Sequence, residues 1–437
     1  MAMMALAPTA AHATHMSGGE ILWECLGGQE YRITMVIYRD CAGIEVDPSY
    51  DLVLQSPCAQ GGTMTVYLDS FRELSQLCDA ELPNSTCNGG TLAGIQEYVY
   101  TGTVQLAPCD SWTISYTIIY RNDAIVNLLN PGQQRTYIKA EINTAAMGCN
   151  DSPRFTNTAI PFVCMGYPVT YSFGAYDPEA DSLSYELIPA MGLYGVPLAY
   201  VAPHSGSQPI PGLVLDPVTG EVQFTINAMG NWVVVVKVHH WVDGQHTGSI
   251  MRDMQFVAIP CANMPPDPAT GTIEQLQGAT QTGPRAITVC GSGAFCFPLT
   301  ISDPDADNVL TAFSNVDLSL PGATFSYTGT NPITAQVCWT ATPGIAGIFP
   351  FIVNVNDGAC PVPAFQTYIY AVTVLDGLHA ELTTTAETCS GLADGTIAVE
   401  VTAGTAPFTY AWSDGSTGPV LTAGPGTHSV QVTDALG

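Results

Sequence analysis

Along this chain apolar side chains recur at every second position, the spacing of strands that bury one face. Trp112, Ile114, Tyr116, Ile118 and Tyr120 alternate with Ser111, Thr113, Ser115 and Thr117. Residues 31–38, 98–106 and 136–142 read the same way, and no long window carries a 3.6-residue period. An all-β chain is predicted.

Further along, residues 168–173 and the alternating Leu183, Tyr185 and Leu187 read as strands around the acidic turn Asp177-Pro-Glu-Ala-Asp181. Residues 213–225 hold two short strands about a Pro/Gly turn, and 232–239 and 254–259 close the unit. A similar order returns at 297–301, Asp303-Pro-Asp-Ala-Asp307, 349–354 and 368–374, an internal repeat of roughly a hundred residues. Pro265 to Pro268 reads as a linker between the two copies. Beyond Leu382 the texture turns to Thr, Ala and Gly, with strands at 396–401, 408–412 and 428–433.

With 437 residues, several domains are expected. The pattern divides the chain into a cysteine-rich β domain at 14–164, β-sandwiches at 165–262 and 263–376, and a small unit at 377–437. These lengths and turns suit tandem Ig-like or cadherin-like sandwiches. Residues 1–13, small, apolar and ending Ala11-His12-Ala13, read as the remnant of a signal peptide.

Charge narrows the partners. A net charge of −28, with Lys139 and Lys237 the only lysines, excludes nucleic acid, which needs clustered cations, and disfavours an anionic membrane surface. Beyond the N-terminal stretch, the longest candidate apolar run, 232–236, is far too short to span a bilayer. Fourteen cysteines with no Cys-x-x-Cys spacing point to structural disulfides in an oxidising compartment, so the chain is expected to be secreted or on the outer cell surface. Spacing leaves the pairing open. Cys78 and Cys87 are candidates to close the loop around 83–94, and a minority of the thiols are expected to be free and buried.

The acidic turns carry the candidate chemistry. Asp177, Glu179 and Asp181 in one, and Asp303, Asp305 and Asp307 in the other, set carboxylates at alternate positions. Calcium takes six to eight hard oxygens, so calcium is the expected cofactor, with Asp243 and Asp357 at the ends of late strands as further ligands. The competing reading is an Asp-Pro turn whose carboxylate bonds only backbone amides. His239, His240 and His246 are set aside as a metal site because neighbouring strand residues face opposite ways. Trp112, Trp232, Trp339 and Trp412 lie in strand patterns and are expected in cores rather than on glycan-stacking surfaces. Metalloprotease, nucleophile-elbow, P-loop and dinucleotide-binding motifs are absent from the sequence. No catalytic residue is assigned, and the chain is expected not to be an enzyme.

Gly391-Leu-Ala-Asp-Gly395, Thr405-Ala-Pro-Phe-Thr-Tyr-Ala-Trp-Ser-Asp-Gly415 and Gly426-Thr-His-Ser-Val-Gln-Val-Thr-Asp434 together resemble the repeat of the gliding adhesin SprB of Bacteroidota. In that family a cysteine usually follows the terminal Asp-x-x-Gly, which would make Cys389 a half-cystine and the sequence part of a longer protein. The stretches Asp177 to Leu187, Leu215 to Gly220 and Arg252 to Phe256 resemble cadherin-like or Ig-like modules of large secreted proteins from the same phylum. His15 to Ile21 and Asn150 to Pro153 are similar to the opening of gliding-motility-associated surface proteins. The resemblance implies type IX secretion and a non-enzymatic adhesin or structural stalk. Its partners would be an extracellular glycan or surface ligand, or neighbouring modules of the same chain. The alternative implication is an accessory carbohydrate-binding or spacer region of a secreted polysaccharide-degrading enzyme.

Overall fold

Alternating β-branched and aromatic residues hold about 53% of the chain in strands and 4% in helix, which makes the fold all-β. The computed structural model describes residues 16–118, 120–146, 148–242, 244–261, 263–291, 293–341, 346–375, 377–404 and 406–435. The signal-peptide stretch 1–13 and the candidate ligand Asp243 lie outside the described residues. Two units divide the chain, the first being Met1–Glu274, Pro298–Val337 and Pro350–Tyr370, the second Gln275–Phe297, Cys338–Phe349 and Ala371–Gly437.

The first unit contains β1 (Met16–Gly27), β2 (Glu30–Asp40), β3 (Ser49–Gln55), β4 (Gly62–Glu73), β5 (Ile95–Gln105), β6 (Trp112–Ile118) and β7 (Thr136–Ile142). They are followed by β8 (Arg154–Phe155), β9 (Phe162–Cys164), β10 (Pro168–Ser172), β11 (Ala175–Tyr176), β12 (Ser182–Ile188), β13 (Val214–Leu215), β14 (Glu221–Thr225), β15 (Gly230–Val242) and β16 (Gln245–Ile259). Pairing runs β1-β2-β5-β4-β3-β6-β7-β16, and β16 then pairs with β1, so the path closes on itself. Beyond β16 the sheet continues through β15 to β12.

The long β16 makes this closure possible. Gly248 to Ile250 pair with β7, Arg252 and Asp253 with β1, and Val257 to Ile259 with β9. At the crossing, Gly18 has φ +153, and a Cβ there would lie 2.1 Å from the carbonyl oxygen of Asp253, so only glycine lets β1 approach.

The expected boundary at 164/165 is therefore corrected. Strands from both sides share one sheet, and one core joins Tyr31, Ile33, Leu52, Tyr100 and Ile114 to Tyr171, Phe224, Val236, Met254 and Phe256. Burying each such side chain contributes roughly 1.5–3 kcal/mol.

β7 shows the predicted alternation without interruption. In β16 the alternation disappears, with residues 247–256 all buried. Both faces are covered: Val234, Val236, Ile250 and Met254 join the main core, while Val233, Val235 and Met251 pack on Ile125, Leu128 and Ile188. Two adjacent charges are buried there and paired in opposite directions. Asp253 takes a two-pronged bond from Arg121 at 2.9 and 2.5 Å, and Arg252 is held by Glu20, with Nη2 2.7 Å from Oε1. Removing one member of such a pair strands a charge at a cost of about 3–5 kcal/mol.

Disulfides join Cys25–Cys149, Cys41–Cys87, Cys58–Cys109, Cys78–Cys360 and Cys164–Cys261 in this unit. The 78/87 pairing is corrected: the Cys41 amide bonds Gly94 at 2.9 Å, bringing the end of β2 to Cys87, while the Cys78 amide bonds Pro361 at 3.0 Å. The two unpaired thiols, Cys290 and Cys389, are exposed rather than buried as expected.

In the second unit, Cys296 pairs with Cys338. Ala286–Cys290 lies parallel to residues 371–375. His379–Thr385, Gly395–Ala403 and Val420–Ala423 form one sheet, and Thr409–Trp412 pairs with Val430–Thr433. Their core is small, centred on Val399, Trp412 and Leu421. Trp112, Trp232, Trp339 and Trp412 are all buried.

Candidate functional site

Asp177 opens the first acidic turn between β11 and β12. Its Oδ1 accepts the backbone amides of Glu179 and Asp181, both at 3.0 Å, closing the turn as short polar side chains do. Ala180 takes the left-handed conformation, φ 66, which carries the chain round so that Asp181 returns toward Asp177. Glu179 points elsewhere: it is exposed, and its Oε1 accepts the Asp151 amide at 3.4 Å. Burial, together with the charges of Asp151 and Asp177, raises its carboxyl above the ordinary value.

Opposite this turn stands His240 on β15, a residue the sequence reading set aside. Its neighbour His239 faces the other way, as strand alternation requires, and its Nδ1 lies 3.0 Å from His246 Nε2. His240 is fully buried, with Nε2 3.1 Å from Asp177 Oδ2 and 3.5 Å from Asp181 Oδ2. Ligand atoms of Asp177, Asp181 and His240 all fall within 4.8 Å of one another, and no other such trio occurs among the described residues.

A β-bulge sets this position. Register passes from His240↔Gly248 to Trp241↔His246, leaving Thr247 as the extra residue. The Thr247 hydroxyl lies 3.1 Å from His240 Nδ1 and donates to the His240 carbonyl at 3.3 Å. Asp181 is held by Asn150, whose Nδ2 donates to Oδ2 at 2.6 Å, and Cys25–Cys149 ties that segment to β1. The sequence signal that could have found His240 is the apolar-rich strand run ending just before the Asp-Gly pair at 243–244, which marks His240 as a late-strand side chain.

The second acidic turn is arranged differently. Asp303 Oδ1 accepts the Asp305 amide at 2.7 Å and Asn308 Nδ2 at 3.3 Å, and Asp305 Oδ2 accepts the Met264 amide at 2.7 Å. Asp307 is exposed. Asp357 lies beside this turn, its Oδ1 accepting the amides of Ala359 and Ala364 and its Oδ2 accepting from Asn263. Asn263 in turn accepts from Asn308 at 2.9 Å, so side-chain amides link Asp357 to Asp303. Burial pushes the Asp357 carboxyl up to about 6, against the pull of its hydrogen bonds.

A separate cavity of about 700 Å³ opens in the first unit. Tyr38, Phe155, Tyr176 and Phe313 supply aromatic faces, while Arg72, Arg154, Asn354 and Asn356 supply donors and acceptors.

The texture beyond Leu382, with its small core, corresponds to a known module. Residues 382–417 match the SprB repeat family. The matched residues include the sheet strand Gly395–Ala403 and the buried Trp412, whose Nε1 donates to Gly418 at 2.9 Å. No curated protein matches the chain. Among solved structures, the N-terminal four Ig domains of Dscam1 isoform 6.44 align at 11% identity, covering 96% of this chain and 97% of that one, with a TM-score of 0.22. Zebrafish RET cadherin-like domains 1 to 4 align at 9% identity over 60% and 70%, TM-score 0.20. An endo-fucoidan hydrolase of glycoside hydrolase family 107 aligns at 14% identity over 82% and 45%, TM-score 0.18. Scores at this level carry no argument, and the all-β assignment rests on the strands themselves.

Proposed function

We propose that this chain is a non-enzymatic part of a secreted or cell-surface adhesin or stalk, of the kind linked to gliding motility and exported by a type IX system in Bacteroidota. The match of residues 382–417 to the SprB repeat carries the reading. Six disulfides and a net charge of −28 support it, since such bonds persist in oxidising compartments and strong acidity keeps an exposed protein soluble. No helix among the described residues is long and apolar enough to cross a membrane.

The ligand in this reading is an extracellular glycan held in the 700 Å³ cavity, where aromatic faces can stack on sugar rings and amides and guanidinium groups can bond hydroxyl or acidic substituents. Calcium belongs to the reading as a stiffener of the second acidic turn, where the buried Asp303 Oδ2 has no hydrogen-bond partner.

Protease shaving of intact cells tests the location: release of peptides from this chain without lysis is expected, and release only after lysis rejects a surface role. A glycan array tests the ligand, with binding expected to fall in Phe313→Ala, whose ring is half-exposed in the cavity. Calcium-selective chelation is expected to lower the melting temperature, and an unchanged value removes calcium from the reading.

A further inference from the structure

We propose that Asp177, Asp181 and His240 form a binding site for a borderline divalent transition-metal ion of the zinc class. This goes beyond the surface role and does not depend on it. Two buried atoms carry the argument. Asp177 Oδ2 and His240 Nε2 are 3.1 Å apart, an ion pair only when the imidazole is protonated; neither has a hydrogen bond to any other group, and their residues are 7% and 0% exposed. Leaving two such atoms unsatisfied is costly, and native proteins avoid it.

The surroundings explain why they face each other. The Thr247 hydroxyl donates to the His240 carbonyl, so its oxygen can accept from Nδ1–H, and in that tautomer Nε2 carries a lone pair. That lone pair points toward two carboxylates. A cation placed among the three resolves the repulsion.

The donor set selects the ion. Calcium takes oxygen ligands alone, whereas imidazole nitrogen with carboxylate oxygen suits zinc, which needs only four donors. Each proposed ligand is also oriented by a further bond, a feature of built metal sites. Asp177 is held by the amides of Glu179 and Asp181, Asp181 by Asn150, and His240 by Thr247. The Asp181 side chain is 19% exposed, which gives an ion a route in, and water can complete the shell.

The test uses the whole chain, stripped of metal with a chelator and titrated with zinc chloride by calorimetry, then with cobalt chloride by visible absorption. One equivalent of zinc and an imidazole-dependent cobalt band are expected, undiminished by excess calcium. His240→Ala should abolish both. Asp181→Asn, at a partly exposed position that spares the core, should weaken zinc binding, and Thr247→Val should weaken it roughly 10- to 100-fold. The paired surface histidines provide the control: the double variant His239→Ala/His246→Ala should bind as the parent does. Loss of binding in that control with retention in His240→Ala would overturn the proposal. So would the absence of zinc binding, or ¹⁵N spectra showing both His240 ring nitrogens protonated and unmoved by zinc.

Discussion

The turns at 177–181 and 303–307 share the pattern Asp-Pro-acid-Ala-Asp, yet their surroundings make them different objects. In both, the leading aspartate folds the turn over the amide two residues on. The first turn then meets a buried imidazole and keeps two facing atoms without hydrogen bonds. The second meets Asp357 through a chain of asparagine amides that donate to Asp303 Oδ1 and Asp357 Oδ2, and Asp303 Oδ2 is left without a hydrogen bond. What separates them is which side chain the late strand presents: nitrogen with carboxylate suits a zinc-class ion, whereas carboxylate opposite carboxylate is bridged by donors, a proton or a hard cation.

Four measurements bear on this contrast. The largest effect is expected from Asp177→Ala, which leaves two backbone amides without their acceptor and should cost about 3 kcal/mol, against about 1.5 kcal/mol for Asp303→Ala. Equal losses in urea denaturation would erase the distinction. Next, zinc at a hundredfold excess over its dissociation constant should stabilise the protein by about 2.7 kcal/mol, with hydrogen exchange slowed at Glu179 and Asp181 and unchanged at Asp305 and Ala359. Protection at both turns would mean that the ion does not discriminate.

The third concerns protons. Because burial raises the Asp357 carboxyl from its ordinary 3.8 to about 6, the folded chain holds a proton that the unfolded chain releases. The contribution of this group to stability therefore declines as pH rises from about 4 to about 6 and is level above that. Carbon-13 titration should give a midpoint near 6, and a midpoint near 4 would show the site to be wetter than the structure describes. The smallest effect is conformational. Ala180 has φ 66 whereas Ala306 does not enter the left-handed region, so Ala180→Gly should gain about 1 kcal/mol, while Ala306→Gly should lose stability.

Much of the strand pattern was legible in the sequence because alternation records one-sided burial. Residues 136–142 were predicted and observed with the same limits, and both acidic turns were visible as Asp-Pro pairs. Where both faces are covered the record is lost, and β16 was placed from 254 although it begins at Gln245. Closure of the sheet across 164/165 was illegible for a related reason: which distant strands pair depends on register and length, and periodicity contains neither. His240 was missed because the argument about neighbours was applied to His239 and His240 together, when only one of them needed to face the acidic turn.

The bond between Cys78 and Cys360, 282 positions apart, imposes an order on biosynthesis. Entering an oxidising compartment from its N-terminal end, the chain presents Cys78 long before Cys360, while Cys58 and Cys87 are already at hand. A wrong early linkage would have to be undone before β4, β5 and the segment around Pro361 could dock. The chain thus calls on a thiol–disulfide isomerase, or on a delay in oxidation, wherever it matures.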